Sequence, residues 1–384
     1  MLLKLILKNA LRHKLRTGLT LTGIVVAILA FGLLHTIVRA WYAGADATSS
    51  SRLVTRNAIS LVFPMPLSYQ PKLRAISGVA GVSYANWFGG VYITEKNFFP
   101  QFAVQADTYF KLYPEFLVDD AQMKDFLHDR KGALVGRKIA EMYGWKVGDV
   151  VPLRGTIWPG NWEFVIRGIY HGADQKTDQS QFFFHWDYLN ETAKKNYPRR
   201  ANTVGVYILA LQDPARAAEI STAIDATFKN SLAETLTETE KAFQLSFVAM
   251  TETILTAVQA VSYVVILIIM AVMANTMAMT VRERLAEYAT LKALGFSAGF
   301  VTRLIFGESV AIALIGAAIG IALTFPIAQA FGNAMGTLFP IFYVAQETVV
   351  MQVGAALIVG LVAAVAPSWR AATVNIVKGL RSVG

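Results

Sequence analysis

TILTAVQAVSYVVILIIMAVMANTMAMTV, residues 253–281, runs for 29 positions without an Asp, Glu, Lys or Arg. A helix needs about 20 predominantly apolar residues to cross the hydrocarbon core of a bilayer, so this stretch spans with turns to spare. Directly after it comes RERLAEYATLKALGF, residues 282–296, which is short and of mixed charge. Working outward, 17–38, 309–346 and 348–369 are also uncharged. Four spans fit: Leu19–Val38, Ile254–Met279, Leu304–Phe325 and Val349–Ala366. Hydrophobic residues make up 54% of the chain, mean hydropathy is +0.44, and charged residues are only 16%, against about a quarter in ordinary globular chains. The sequence is that of an integral membrane protein.

The formal charge of +9 invites a nucleic-acid reading, which its distribution removes. Residues 42–245 hold 22 Lys+Arg against 21 Asp+Glu, while the rest of the chain holds 13 against 5. Those bases, Arg39 apart, fall in the N-terminal segment, in 282–303 or in the C-terminal tail, which share one side if four helices alternate across a membrane. The short connection 327–347 on the other side has no Lys or Arg. This is the positive-inside pattern: both termini are expected in the cytoplasm and 42–245 outside. With 0 Cys, an exterior domain of this length relies on a packed core, which suits a bacterial envelope protein, multi-pass in the cytoplasmic (inner) membrane.

The segment MLLKLILKNALRHKLR (1–16) repeats leucine–base pairs every four residues, giving a leucine stripe beside a basic one on a helix. That fits an amphipathic helix on the cytoplasmic surface. A signal peptide with GADA (44–47) as its cleavage site is the other reading, but the apolar run is long and the basic segment too extended for one. The exterior part reads as mixed α/β, with strands expected at FVIRGIY (164–170) and TVGVYIL (203–209) among Gly and Pro punctuation. From Ala215 to Leu294 there are 80 residues without Gly or Pro. Asp213-Pro214 is a helix start, Asn230-Ser231 a break, and 232–280 is expected as one rod of about 70 Å running from the exterior domain through the second span. The fold class is therefore an α-helical membrane protein with four transmembrane helices and a mixed α/β extracytoplasmic domain inserted between helices 1 and 2. Its expected segments are an interfacial helix (1–17), helix 1 (18–41), the α/β domain (42–235), stalk and helix 2 (236–281), a charged helix and loop (282–303), helix 3 (304–326), a short outer loop (327–347), helix 4 (348–368) and a tail (369–384).

On a helix, Arg284 neighbours Glu287 and Tyr288, and Glu287 neighbours Leu291. Leu291 and Leu294 form an apolar edge, and Gly295 is placed to end the helix. The spacing alone fits two roles equally: a docking helix for a soluble partner, or an interfacial loop helix. Glu283, Arg284, Glu287, Tyr288, Ala289, Leu291, Lys292, Ala293, Leu294 and Gly295 together resemble the coupling helix of MacB/FtsX-like permeases of ABC transporters. KNALRHKLRTGLTLTGI (8–24), APSWRAATVNIVKGLR (366–381), AISGVAGVS (75–83) and ALVGRKIAEMYGWKVGDVVPL (133–153) resemble other parts of that family, so the likeness covers nearly the whole chain.

The resemblance implies a dimer, homomeric or of related subunits, whose coupling helices sit in grooves of a separate cytoplasmic ATPase. Arg284, Glu287, Tyr288, Leu291, Lys292, Leu294 and Gly295 are the implied coupling residues. Glu308 matches an acidic position of the family, with a coupling or a structural role. Work would be done on a hydrophobic or amphipathic cargo outside or at the outer leaflet, and a periplasmic adaptor or cargo-accepting protein is a further candidate partner. The alternative is an FtsX-type relay that activates a periplasmic partner without transport. A sensor or scaffold would leave the coupling motif unexplained.

No catalytic, cofactor or metal site is expected in this chain, with ATP and Mg bound by the partner ATPase. GALVGRKI (132–139) has three residues between its glycines where a phosphate loop needs four, and Ile139 stands where Ser or Thr would hold magnesium. This departs from family members that fuse ATPase to permease. His13, His35, His128, His171 and His185 show no paired-ligand spacing, and no serine sits in a G-x-S-x-G setting. Gly316/Gly320 and Gly332/Gly336 are GxxxG pairs suited to close helix packing. The dense aromatics of 87–116 and QFFFHW (181–186) read as core, or as an apolar surface for cargo or partner.

Overall fold

The structure, a computed structural model, describes residues 14–336 and 338–373. Residues 1–13 of the leucine–base repeat and the tail after 373 lie outside the described residues; the last pair, Leu15 and Arg16, falls in the first turn of a long helix. Among the described residues, four helices are long and apolar enough to cross a membrane: Lys14–Asp46, Glu252–Glu283, Ala298–Met335 and Gln346–Thr373. They contain the four expected spans and are called the first to fourth long helices. The chain divides into two compact units, a helical one and an α/β one made of Trp41–Met250 with Met335–Ile341.

Within the helical unit the core is drawn from all four long helices: Ile24, Ile28 and Phe31 from the first, Met273 and Met277 from the second, Ile305 and Ala313 from the third, and Val359 and Ala363 from the fourth. Lipid is as apolar as these side chains, so close packing and polar contacts carry the association. Gly316 and Gly320 serve that packing. A Cβ on Gly316 would lie 2.6 Å from Ile24 Cγ2, and one on Gly320 3.0 Å from the Val25 carbonyl oxygen. Gln352 of the fourth helix donates to the Ile28 carbonyl at 2.9 Å and to Thr324 Oγ1 at 3.0 Å, joining three helices. Arg16 meets Glu283 at one end of the bundle and Arg39 meets Glu347 at the other.

The α/β unit is built on thirteen strands. The first seven are β1 (Arg52–Asn57), β2 (Met65–Pro66), β3 (Val79–Trp87), β4 (Gly90–Val91), β5 (Gln101–Val104), β6 (Phe116–Leu117) and β7 (Gly132–Gly136). The rest are β8 (Val150–Gly155), β9 (Gly160–Gly172), β10 (Phe182–His185), β11 (Thr203–Val204), β12 (Val206–Leu211) and β13 (Thr235–Thr239). The main sheet has the order β13-β1-β12-β3-β5-β10-β7-β9-β8-β4, with β6 paired to β9, and β2 pairs β11 separately. β5/β10 and β7/β9 are parallel and the other pairs antiparallel. Both expected strands are present, the second divided at Gly205. Along β9, Trp162, Phe164, Ile166 and Tyr170 point inward at every second residue, the period-2 signature of a half-buried strand. All four residues of β10 are buried, as a strand covered on both faces requires.

The aromatics are core. Phe88 packs edge-on to Trp162, Phe164 and Phe184, with centroids 5.2, 5.9 and 5.2 Å away; Tyr109, Phe110 and Phe116 gather round Phe183 on the other face of the sheet. Trp87 and Phe98 are the exposed exceptions. GALVG, the first part of the phosphate-loop near miss, is the buried strand β7.

The expected rod over 232–280 is not continuous. Thr235–Thr239 is β13, followed by helix Glu240–Ala249, a break at Met250–Thr251, and the second long helix from Glu252. Threonines at 235, 237 and 239 explain the strand: β-branched residues favour it, and Thr237 bonds Thr55 at 2.9 Å and Asp225 at 2.8 Å. Thr239 caps the next helix through Ala242 N. Absence of Gly and Pro is permissive for a helix and does not compel one.

Arg52, at the start of β1, is buried among Glu240, Glu115 and Tyr113. It donates to Glu240 Oε2 at 2.7 Å and Glu115 Oε1 at 2.5 Å, and Tyr113 donates to Glu240 Oε1 at 2.9 Å. Burial opposes the guanidinium's charge, but the two carboxylates outweigh it and hold its pKa above the ordinary value. The network ties the strand that follows the first long helix to the short helix that leads into the second.

Two outcomes check these contacts. Glu240→Met is expected to cost about 3 kcal/mol, because a buried charge loses a partner, with Arg52→Met/Glu240→Met regaining most of it; urea unfolding followed by tryptophan fluorescence reads this. Gly316→Val is expected to lower stability by about 1–3 kcal/mol through overpacking against Ile24. Gly354→Val, at a glycine with open space around it, should leave the melting temperature in detergent unchanged.

Candidate functional site

The charged stretch forms a connecting helix, Leu285–Ala293, between the second and third long helices. Arg284 breaks the preceding helix with φ −103° and ψ 12°. Gly295, at φ +91°, ends the connecting helix in the left-handed conformation that glycine adopts without strain. Gly295 N donates to Lys292 O at 3.0 Å and Phe296 N to Leu291 O at 3.1 Å. That bond pair is a Schellman stop, which sets an apolar residue just past the glycine against one on the last turn.

The seven expected coupling residues divide between two faces. Arg284 and Tyr288 are 6% and 1% exposed and point into the helical unit. Arg284 Nη1 donates to Glu308 Oε2 at 3.0 Å, and its Nε donates to Glu287 Oε2 at 3.0 Å. Glu308, on the third long helix, is itself buried. Burial works against the Arg284 charge, while Tyr288, Glu287 and Glu308 favour it and leave its pKa raised. Burial also pushes the Tyr288 phenol up to about 12; its hydroxyl has no hydrogen-bond partner among the described residues. Leu291 is half-buried against the bundle core, and Lys292 Nζ donates back to the carbonyl of Ala372 at the end of the fourth long helix.

The outward face carries Glu287, with 43% of its side chain exposed, then Thr290, Leu294 and Gly295. Leu294 is 72% exposed, and Phe296 beyond it 44%. Phe296 was not among the residues expected from sequence; its signal was an aromatic residue directly after the helix-ending glycine. Its ring packs at a tilt against Phe300, with centroids 4.9 Å apart. The arrangement is a helix bolted to the bundle by charge on one face, presenting a carboxylate and an apolar tip on the other. Of the histidines, His185 is buried and bonded to Phe126 O at 2.7 Å, His35 faces Thr348, His171 lies 3.4 Å from Arg137, and His128 contacts its own helix at Lys124. His13 lies outside the described residues.

The family model of the MacB-like periplasmic core domain matches residues 17–227, and that of the FtsX-like permease C-terminal region matches 260–376. An uncharacterized ABC transporter permease of Methanocaldococcus jannaschii is 23% identical over 97% of this chain and 96% of its own length. Among solved structures, the periplasmic region of MacB from Actinobacillus actinomycetemcomitans is similar, with TM-score 0.39 and 8% identity, covering 53% of this chain and 94% of that one. The extracellular domain of the noncanonic ABC-type transporter YknZ from Gram-positive bacteria gives TM-score 0.36 and 11% identity, covering 49% and 99%. With one family model matching more than half of the sequence and a second most of what remains, the chain belongs to the MacB/FtsX-like family of ABC transporter permeases.

Proposed function

We propose that this permease passes ATP-driven motion from a separate cytoplasmic ATPase to its extracytoplasmic α/β unit, so as to extract or export a hydrophobic or amphipathic cargo. The observation that carries the reading is the two-faced connecting helix. A docking element that transmits force must be rigid toward the membrane and accessible toward its partner. Arg284–Glu308 and Lys292 supply the first property, and Glu287, Leu294 and Phe296 the second. Exposed Leu294 and Phe296 suit an apolar groove, and Glu287 suits a basic residue at its rim. ATP and Mg belong to the ATPase chain, and the working complex contains two permease copies or a related pair.

Orientation follows from charge. Arg16, Arg282, Arg284, Lys292 and Arg370 lie at or beside one end of their helices, and contacts gather that end together: Arg16 with Glu283, Lys292 with Ala372. We place it in the cytoplasm of a bacterial cell by the positive-inside rule. Arg39, toward the other end, is neutralised by Glu347. Push or rotation of the connecting helix would reach the third long helix through Arg284–Glu308 and the second through the backbone at Arg284.

Tagged chain drawn gently from its native membrane is expected to bring down a P-loop ATPase in stoichiometric amount, identified by mass spectrometry. Glu287→Lys/Leu294→Asp should reduce recovery about tenfold or more, as loss of an anchor and a charge contact does, while the chain still inserts and purifies. Undiminished association would overturn the docking face. Inside the bundle, Arg284→Met should destabilise by about 3–5 kcal/mol, and Arg284→Met/Glu308→Met should recover much of it; a thermal-unfolding double-mutant cycle in detergent reads the difference.

A further inference from the structure

Lys138 belongs to GALVGRKI, the stretch that resembles a phosphate loop and folds instead as β7 and the start of helix Arg137–Tyr143. Its ammonium donates to the carbonyl oxygens of Phe339 at 2.7 Å and Pro340 at 3.2 Å. Those carbonyls lie in the connection between the third and fourth long helices, yet Met335–Ile341 belongs to the α/β unit. Burial and two further contacts mark its seat there. Phe339 and Ile341 are each 5% exposed. The Phe339 ring meets Trp41 edge-on, with centroids 5.3 Å apart. Gly336, at φ +58°, brings its backbone against Met142, one turn beyond Lys138: a Cβ there would lie 3.3 Å from Met142 Cε.

We infer that Gly336 and 338–341 form a strap, seated on the α/β unit by Lys138 and continuous in the chain with the third and fourth long helices. A surface loop ordinarily leaves its carbonyls to water and its apolar side chains few. This one turns Phe339 and Ile341 inward and gives two neighbouring carbonyls to one partly buried cation. Hydrogen bonds from a charged donor are about twice as strong as neutral ones, and an ammonium satisfies two oxygens without a fixed fork. Burial draws the lysine's pKa below its ordinary value, with Asp178 opposing. Displacement of the α/β unit then pulls on the hairpin of helices three and four through the strap, whatever passes through the junction at 250–251. The inference goes beyond the transport reading and needs no ATPase.

The chain has no cysteine, so single thiols report cleanly in the full-length protein in nanodiscs. Ile341→Cys should react slowly with a maleimide while the strap is seated. Adding Lys138→Met should raise that rate about tenfold, because the strap opens more often once its charged hydrogen bonds are gone. Val62→Cys, at a position 85% exposed in the α/β unit, should react at one rate with or without the Lys138→Met change, showing that the unit remains folded. If Lys138→Met does not fold, Lys138→Gln removes the charge while keeping a polar side chain, and is read in the same way. A rate at Ile341→Cys that stays within about twofold in the lysine variant, or that is already fast with Lys138 intact, overturns the strap.

Discussion

A positive charge buried where the second long helix gives way to the connecting helix sets the terms for that end of the bundle. Arg284 cannot be desolvated alone, since an unpaired buried charge costs several kcal/mol. Glu308 on the third long helix must therefore come within hydrogen-bond distance, and the bend at Arg284 is held in one geometry. An apolar pair of similar volume would hold two helices about as firmly. The guanidinium adds direction, because its donors are fixed in a plane. One nitrogen is committed to a buried carboxylate and another to Glu287, which reaches solvent. The same side chain thus joins the inside of the bundle to the exposed face of the connecting helix.

The four spans were legible because a long uncharged run has few other solutions: in lipid every backbone group must be satisfied within the segment or against its neighbours. The connecting helix and its stop at Gly295 were legible for equally local reasons. Which of its faces turns inward was not. Arg284, Glu287, Tyr288 and Leu291 form one neighbourhood on a helix surface, and the choice between burial and exposure is made by Glu308 and Ala372, residues distant in sequence. Phe296 escaped notice because it follows the glycine and reads as loop, although a Schellman stop places an apolar residue there.

The rod is the instructive difference. Eighty residues without Gly or Pro suggested one helix, but alternating threonines at 235, 237 and 239 had a better use. They add an edge strand to β1; the hydroxyls of Thr235 and Thr237 bond Asp225 and Thr55, and that of Thr239 caps the following helix. Local helix propensity at those positions is low, and tertiary pairing decides. The aromatic clusters illustrate the reverse case. FFF at 182–184 is too apolar for a half-exposed strand, and burial on both faces of the sheet follows from composition alone. In a domain without disulfides, those edge-to-face contacts supply much of the cohesion.

Interruption at Met250–Thr251 changes what the chain can transmit. A domain joined through one continuous helix follows that helix as a rigid extension. Here that backbone continuity ends, with Met250 and Thr251 standing between the two helices. The α/β unit has other attachments: the chain enters it at Trp41 and passes through it again at Met335–Ile341. Arg52–Glu240 ties the first entry to the second by binding β1 to the helix before the break. Lys138 does the same for the third, clasping the 335–341 connection to the helix after β7. The two clamps share one chemistry: each is a buried or half-buried cation paired with oxygen.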